Sequence, residues 1–282
     1  MAFLSPWLIG FFGFTLVPVV LSFYYSLCDY SLIQPPLFKG FANYRTLALD
    51  PVFWKVLRIT FGFALVALPL GVFAAISVAM LLNSKISGVR IYRTIVFLPS
   101  LVPAVAAAMV WLWLFNTKLG LINNMLIAIG INNPPAWLDS EQWALPALVL
   151  MSFWGIGNTV VIYLAGLQDV PRDLYEAADI DGASRLRKVW HVTLPLISPV
   201  IFFNLIMAII GTLQTLATPL IMTGGGPARS TYFYTMYLYD NAFKYLKMGY
   251  ASALAWVLLL IVLALTALTA WSGKRWVHYQ GK

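Results

Sequence analysis

The sequence predicts an all-α membrane protein with six transmembrane helices, and three observations support this fold class. Charged residues make up 10% of the chain, apolar residues make up 61%, and the mean hydropathy is +0.83. Soluble domains carry roughly 25% charged residues. Six uncharged runs interrupt the chain, each long enough for the ~20-residue helix that crosses a bilayer. The segments between them are short, so no separate soluble domain is expected.

The six runs define a single six-span domain over residues 1–282. The predicted spans are about 6–28, 59–83, 94–116, 143–168, 197–222 and 249–272. The first run lacks a basic start and a small-residue cleavage site, so we interpret it as a span and not as a cleaved signal peptide.

An even number of spans places both termini on one side of the membrane. The loops on that side, together with the C-terminal tail, carry ten of the eighteen basic residues: Lys85, Arg90, Arg93, Arg172, Arg185, Arg187, Lys188, Lys274, Arg275 and Lys282. The other eight lie in longer loops on the opposite side. Since cytoplasmic loops are enriched in Lys and Arg, we expect both termini to be cytoplasmic.

Composition also excludes several function classes. The lone Cys28 excludes an internal disulfide and a cysteine-based metal cluster. His191 and His278 are far apart and flank no carboxylate cluster, so neither a catalytic group nor a metal site is predicted. The net charge of +8 is explained by basic residues that flank spans and face lipid headgroups, and no nucleic acid is expected.

One loop, residues 169–196, concentrates charge between the fourth and fifth spans. Pro171 and Asp173 are typical of a first helical turn, and the alanines that follow Glu176 are strong helix formers. Gly182 permits the turn that ends this helix, and a second short helix is predicted from Ser184 to Trp190. Charge pattern alone favours a solvated helix-turn-helix at the membrane surface.

The order of motifs along almost the whole chain resembles the carbohydrate-type membrane permeases of binding-protein-dependent ABC importers, such as the maltose and glycerol-phosphate permeases. The matching segments are 40–44 (GFANY), 50–51 (DP), 92–94 (YRT), 97–99 (FLP), 111–116 (WLWLFN), 135–138 (PAWL), 164–168 (LAGLQ), 176–199, 222–227 (MTGGGP) and 249–253 (GYASA). Two features depart from the family pattern. Trp190 replaces a residue that is usually Phe, and the N-terminus lacks the usual basic stretch.

The resemblance implies a type I ABC importer permease fold, in which the loop 169–196 is a cytoplasmic coupling loop. It implies that a separate ATPase docks on Glu176, Ala177, Ala178, Asp181, Gly182 and Ala183. The chain has no G-x-x-x-x-G-K-[ST] motif, so it is not expected to be an enzyme or to bind a cofactor; ATP and Mg would bind the partner ATPase. The implied partners are a second permease, two ATPase subunits, an extracytoplasmic binding protein and the bilayer of a bacterial or archaeal cytoplasmic membrane.

The substrate path is predicted from polar and aromatic residues within the spans. On the fifth span, Asn204, Thr215 and Thr218 recur at helical spacing, with Gln214 beside them. Further candidates are Asn158 with Trp154 on the fourth span, and Trp113 with Asn116 on the third. The same residues are equally consistent with helix packing, and most of the many aromatic residues are explained by an interfacial belt.

Three other function classes remain as alternatives. An ion-coupled secondary carrier would carry intramembrane carboxylates, and an intramembrane enzyme would need paired acids or His with acids. No Asp, Glu, Lys or Arg lies inside the six uncharged runs. An ABC permease for a non-carbohydrate solute is not excluded by the coupling loop. The absence of intramembrane charge favours a neutral substrate.

Overall fold

The computed structural model describes residues 4–84 and 87–278 and is almost entirely helical. Lys85 and Lys282, which were counted among the basic loop residues, lie outside the described part. The helices are α1 (Ser5–Phe11), α2 (Val17–Ser26), α3 (Ala42–Leu49), α4 (Pro51–Leu82), α5 (Val89–Phe97), α6 (Ala104–Leu114), α7 (Leu121–Ala128), α8 (Ala144–Ser152), α9 (Gly157–Gln168), α10 (Arg172–Ile180), α11 (Arg185–Lys188), α12 (Leu194–Leu196), α13 (Ser198–Leu213), α14 (Ala217–Met222), α15 (Tyr234–Tyr239) and α16 (Met248–Trp276). Two strands, β1 (Cys28–Ser31) and β2 (Gln34–Phe38), form an antiparallel hairpin that the sequence did not indicate.

Short π-helical and 3-10 segments join several of these helices. The π-helical segments are Phe12–Leu16, Val189–Thr193 and Asp240–Lys244, and the 3-10 segments are Leu98–Leu101 and Phe153–Gly155.

Within the described residues, four helices are long and apolar enough to cross a membrane, and two bent pairs bring the number to six if each pair crosses as one span. The four are Ser5–Ser26, Pro51–Leu82, Ser198–Met222 and Met248–Trp276, and the pairs are Val89–Leu101 with Ala104–Leu114 and Ala144–Gly155 with Gly157–Gln168. The helix at Pro51 begins well before the predicted second span because charged residues can continue a helix outside the hydrocarbon region.

The first bend has a local cause, and the second adjoins a close contact between helices. The 100° bend between α5 and α6 lies at Val102, whose backbone is extended with ψ 127°. Proline disfavours helical geometry in the residue before it, and Pro103 follows Val102. The 50° bend before α9 adjoins Gly157, where a Cβ atom would collide with the backbone of α5 at Val96.

The chain divides into two compact units. The hairpin unit comprises residues 1–58 and 233–264, and the loop unit comprises residues 59–232 and 265–282. In the hairpin unit, α2 packs on α16: Trp256 Nε1 donates to Ser22 Oγ at 3.1 Å, and the Phe23 and Trp256 rings meet edge to face at 4.9 Å.

The loop unit has a buried core where α4, α9 and the start of α13 meet. Its members include Ala75, Ala79, Tyr163, Leu164 and Ile197. The small residues on α4 let the Tyr163 ring pack closely, as is common between membrane helices. This core supports the loop that carries α10, because Tyr175 packs against it.

Candidate functional site

The first turn of α10 forms for the reasons that its sequence suggests. Val170 is buried and anchors the chain where α9 ends. Pro171 then occupies the N-cap with extended backbone, and Asp173 lies in the first turn. A carboxylate there interacts favourably with the helix dipole.

Two side-chain bonds attach α10 to the segment that follows it. The Tyr175 hydroxyl and Thr193 Oγ1 lie 2.9 Å apart, and Thr193 is buried. Lys188 Nζ forms an ion pair with Asp179 at 2.6 Å, and the lysine side chain is only 19% exposed. These contacts hold α10 against α11 and the π-helical segment, so the loop is a folded platform.

Gly182 ends α10 in the way that the sequence predicts. Its φ is +71°, a left-handed conformation that only glycine adopts without strain. The N–H of Gly182 donates to Asp179 O at 3.1 Å, and the N–H of Ala183 donates to Ala178 O at 2.9 Å. These bonds satisfy carbonyls that the helix end would leave free.

The opposite face of α10 is exposed and has no partner in the part of the chain that the structure describes. Glu176 and Ala177 are exposed, and Glu176 forms no ion pair or hydrogen bond with the described residues. Ile180 is 87% exposed and Leu186, on α11, is 69% exposed. Apolar side chains around a free carboxylate are typical of a surface that another protein covers.

The second short helix is briefer than predicted. α11 covers only Arg185–Lys188, and Ser184 Oγ caps it by accepting from the Arg187 N–H at 3.4 Å. From Val189 to Thr193 the backbone is π-helical, and Trp190 is 63% exposed. The sequence carries no clear signal for this change of hydrogen-bond pattern.

The predicted polar face of the fifth span is interrupted. The helix breaks between α13 and α14, where Gln214 caps α13 and Leu216 has φ −123°. Helical spacing therefore does not carry across the break to Thr218. Asn204 is buried and donates to Val200 O of its own helix at 2.9 Å, whereas Gln214 is exposed.

The other predicted path residues have different surroundings. Asn158 is exposed at the start of α9, and Trp113 is exposed on α6. Asn116 caps the turn after α6, since its Oδ1 accepts from the Leu119 N–H at 2.9 Å. Trp154 lies in the bend before α9 and meets the ring of Trp111 edge to face at 6.3 Å.

Trp111 belongs to the motif WLWLFN, which contributed only to the family resemblance. Its surroundings in the structure are distinctive. Its indole nitrogen is buried without a hydrogen-bond partner among the described residues. Its ring continues into a row of aromatic rings, with Phe115 at 4.9 Å and Trp137 at 5.3 Å from Phe115. No sequence signal distinguished this tryptophan from its neighbours.

The sequence also missed a polar cleft of about 300 Å³ in the hairpin unit. At its base, Asp50 accepts from Tyr250 at 2.9 Å, from the Val52 N–H at 2.8 Å and from Tyr237. Burial alone would raise the pKa of Asp50, but the hydrogen bonds from Tyr237, Val52 and Tyr250 outweigh it, so the pKa lies below its usual value. Burial, and then the bond to Asp50, raise the pKa of Tyr237 to about 12.

No group of three or more metal-ligating side chains occurs among residues 4–84 and 87–278. The distinctive features are therefore three: the helix α10 in the loop unit, held on one face and exposed on the other; the polar and aromatic residues at helix breaks; and the Asp50 carboxylate in the hairpin unit, which accepts several hydrogen bonds.

Comparison with known proteins gives consistent results. Residues 67–278 match the family described as "Binding-protein-dependent transport system inner membrane component". The chain is 39% identical to the "Probable ABC transporter permease protein YesP" of Bacillus subtilis (strain 168), over 100% of this chain and 92% of that protein. It is 36% identical to the "Sulfoquinovosyl glycerol transport system permease protein SmoG" of Agrobacterium fabrum, over 89% of this chain and 82% of that protein.

The fold agrees with these results. A chain in the crystal structure of a bacterial ABC transporter involved in the import of the acidic polysaccharide alginate superimposes with a TM-score of 0.86 at 24% sequence identity. The match covers 97% of this chain and 94% of that chain, and it confirms the predicted helical permease fold. The chain thus belongs to the family of binding-protein-dependent transport system inner membrane components, and it is a multi-pass permease subunit of an ABC importer whose ATPase is a separate subunit.

Proposed function

We propose that this permease forms, with a second permease subunit, the path for uptake of a sugar, an oligosaccharide or a related polyol. Relatives at 32–36% identity are named for transport of sulfoquinovosyl glycerol, lactose and arabinooligosaccharides. The predicted spans carry no charged side chain, which suits a substrate recognised through neutral hydroxyl groups.

The coupling role of α10 rests on one observation. The helix is fixed on one side by Tyr175 and Asp179 and exposes Glu176, Ala177 and Ile180 on the other. A fixed helix transmits a displacement of its exposed face to the elements that hold it. We assign this face, with Ala178, Asp181, Gly182 and Ala183, to the docking cleft of the ATPase, where Glu176 would meet an Arg or Lys.

The rest of the assembly follows the predicted topology. Four spans precede the loop, so the loop lies on the same side as the N-terminus. ATPase docking makes that side cytoplasmic, with both termini. Two ATPase subunits bind ATP and Mg there, and an extracytoplasmic binding protein delivers substrate to the outer loops of the two permeases in a bacterial or archaeal cytoplasmic membrane.

Within the spans, the exposed residues at helix breaks are the best candidates for substrate contacts. Gln214 lies at the α13–α14 break, and Asn158 follows the bend before α9. Amides at such breaks hydrogen-bond hydroxyl groups, and Trp154 and Trp113 offer ring faces. Thr215 lies in the break and Thr218 lies in α14. Asn204 and Asn116 also belong to the proposed path, and each forms a bond within the chain, as Thr215 does with Gly211 O at 3.1 Å.

The first test is purification of this chain from its native membrane in mild detergent, with mass spectrometry of everything that accompanies it. A second six-span permease and an ATPase with a phosphate loop are expected. A binding protein recovered with them is then screened against neutral sugars, polyols, amino acids and phosphate. A homo-oligomer without ATPase would overturn the importer assembly, and selective binding of an amino acid or phosphate would overturn only the substrate class.

The second test is Glu176→Lys in the reconstituted transporter. Normal membrane insertion is expected, with loss of substrate-stimulated ATP hydrolysis and of uptake. Glu141→Lys is the matched control, since Glu141 is also exposed but precedes α8 on the predicted outer side. Equal uptake by the Glu176→Lys and Glu141→Lys variants would remove the coupling role of this face.

A further inference from the structure

The loop unit contains an apolar groove that is separate from the coupling loop. It is a groove of about 360 Å³ between the end of α4 and the start of α5. Its walls are Val78, Leu81 and Leu82 on α4 and Tyr92, Ile95 and Val96 on α5. Leu81, Tyr92 and Ile95 are more than half exposed, so the groove opens to the surroundings of the protein.

Uncompensated positive charge lies at the same place. Residues 78–97 contain three basic residues and no acid. Arg90 is exposed, and its side chain has no ion pair or hydrogen bond with the described residues. Lys85 lies outside the described part of the chain.

Arg93 carries an unused hydrogen-bond donor. Its Nη2 donates to Leu82 O at 3.0 Å, which ties α5 to the C-terminal end of α4. Its Nε is buried without a hydrogen-bond partner among the described residues. Leu82 lines the groove, so the bond from Nη2 places the Arg93 guanidinium at the end of the groove.

The start of α5 adds a third contribution. Gly88 is its N-cap, with φ +78°, and no side chain caps the helix. The free N–H groups and the positive end of the helix dipole attract an anion.

The groove is apolar, and a basic group lies next to it, because Arg93 bonds the carbonyl of the lining residue Leu82. An apolar surface beside a positive charge suits an amphipathic anion. We propose that this groove binds an anionic phospholipid, with an acyl chain along α4 and α5 and the phosphate at Arg90 and Arg93. Basic sites at the ends of membrane helices are known to recognise anionic headgroups. The proposal depends on the chain being a membrane protein, and not on the proposed substrate or coupling role.

The test is photocrosslinking in nanodiscs that contain equal amounts of phosphatidylglycerol and phosphatidylcholine. The assembled transporter carries benzoylphenylalanine in place of Ile95, and mass spectrometry identifies what is attached there. Phosphatidylglycerol is expected to exceed phosphatidylcholine by several-fold. Arg90→Gln should lower that ratio about fivefold, since one basic residue near an anionic surface contributes roughly that factor.

Two comparisons make the result decisive. Lys274→Gln removes one charge from an exposed site at the end of α16 and should leave the ratio unchanged. Inorganic phosphate at millimolar concentration should not compete, because it lacks the acyl chain. Equal attachment of both lipids, attachment to a protein subunit, competition by phosphate, or an equal effect of Lys274→Gln would each overturn the proposal. The Arg90 side chain has no ion pair or hydrogen bond with the described residues, so Arg90→Gln should not impair folding.

Discussion

The bond between Tyr175 and Thr193 gives a direct test of whether α10 is a fixed platform. In the variant Tyr175→Phe the ring keeps its packing against the core of the loop unit and only the hydroxyl is lost. Thr193 Oγ1 retains a second acceptor, Lys188 O at 3.4 Å, so no buried donor is left unpaired. The cost is therefore the net value of one neutral hydrogen bond, about 0.5–1.5 kcal/mol.

The lost free energy can be measured because it makes local opening of α10 more frequent. Amide hydrogen exchange in α10 reports the population of molecules in which the helix is detached. A loss of about 0.5–1.5 kcal/mol raises that population roughly 2- to 13-fold. Exchange of peptides covering 172–180, measured by mass spectrometry on the purified transporter, should accelerate by this factor, whereas peptides from α16 should not change.

Tyr239→Phe is the matched control. Tyr239 is on α15 of the hairpin unit, and its hydroxyl forms no hydrogen bond with the described residues. The control should leave exchange in α10 unchanged. If Tyr175→Phe also leaves it unchanged, α10 is not held by this bond, and the argument that it transmits displacement through its attachment fails.

Three further outcomes are expected. Gly182→Ala forces a residue with a side chain into the left-handed region, which costs about 1–2 kcal/mol, so uptake should fall. The control is Gly211→Ala, because a Cβ at Gly211 meets nothing within 4 Å. Equal uptake by both variants would contradict the role of the turn. Because the pKa of Asp50 is lowered in the folded state, the ionised carboxylate stabilises the hairpin unit above the unfolded pKa of about 3.9, and this stability is lost as pH falls through the folded pKa. Thermal melting between pH 6 and pH 3, a range chosen to span about that unfolded pKa, should show the loss of stability. The same pH profile in an Asp50→Asn variant would refute this role of Asp50. Asn158→Ala and Gln214→Ala should change substrate affinity or uptake rate while ATPase binding stays normal, and unchanged transport in both would leave these residues a packing role.

The helical membrane fold was predictable because it depends on local composition. Uncharged runs mark where helices cross, and Gly182 marks a helix end because a positive φ is a local requirement. The sequence indicated the bends only in part. Pro103 is visible in the sequence, but proline is tolerated within membrane helices, so only the structure shows the 100° bend.

The features that the sequence did not predict depend on contacts between distant residues. Asp50 and Tyr250 are 200 residues apart, and neither carries a local signal of the bond. The break at Gln214 differs, because Pro219 in the first turn of α14 has no N–H for the carbonyl of Thr215, although the predicted fifth span continued through it. A face predicted by helical spacing is valid only while the helix continues, which is why Asn204 and Thr218 do not belong to one continuous wall.

The π-helical segment from Val189 to Thr193 has a consequence for the phase of the neighbouring helices. An α-helix advances about 100° per residue, and a π-helical turn accommodates one extra residue within a turn. A return of this segment to α-helical hydrogen bonding would therefore rotate α11 by about 100° relative to α13 with little change in length. The Tyr175–Thr193 and Asp179–Lys188 bonds span this segment, so they fix its angular register, and a pull on α10 acts on α13 as a torque as well as a displacement.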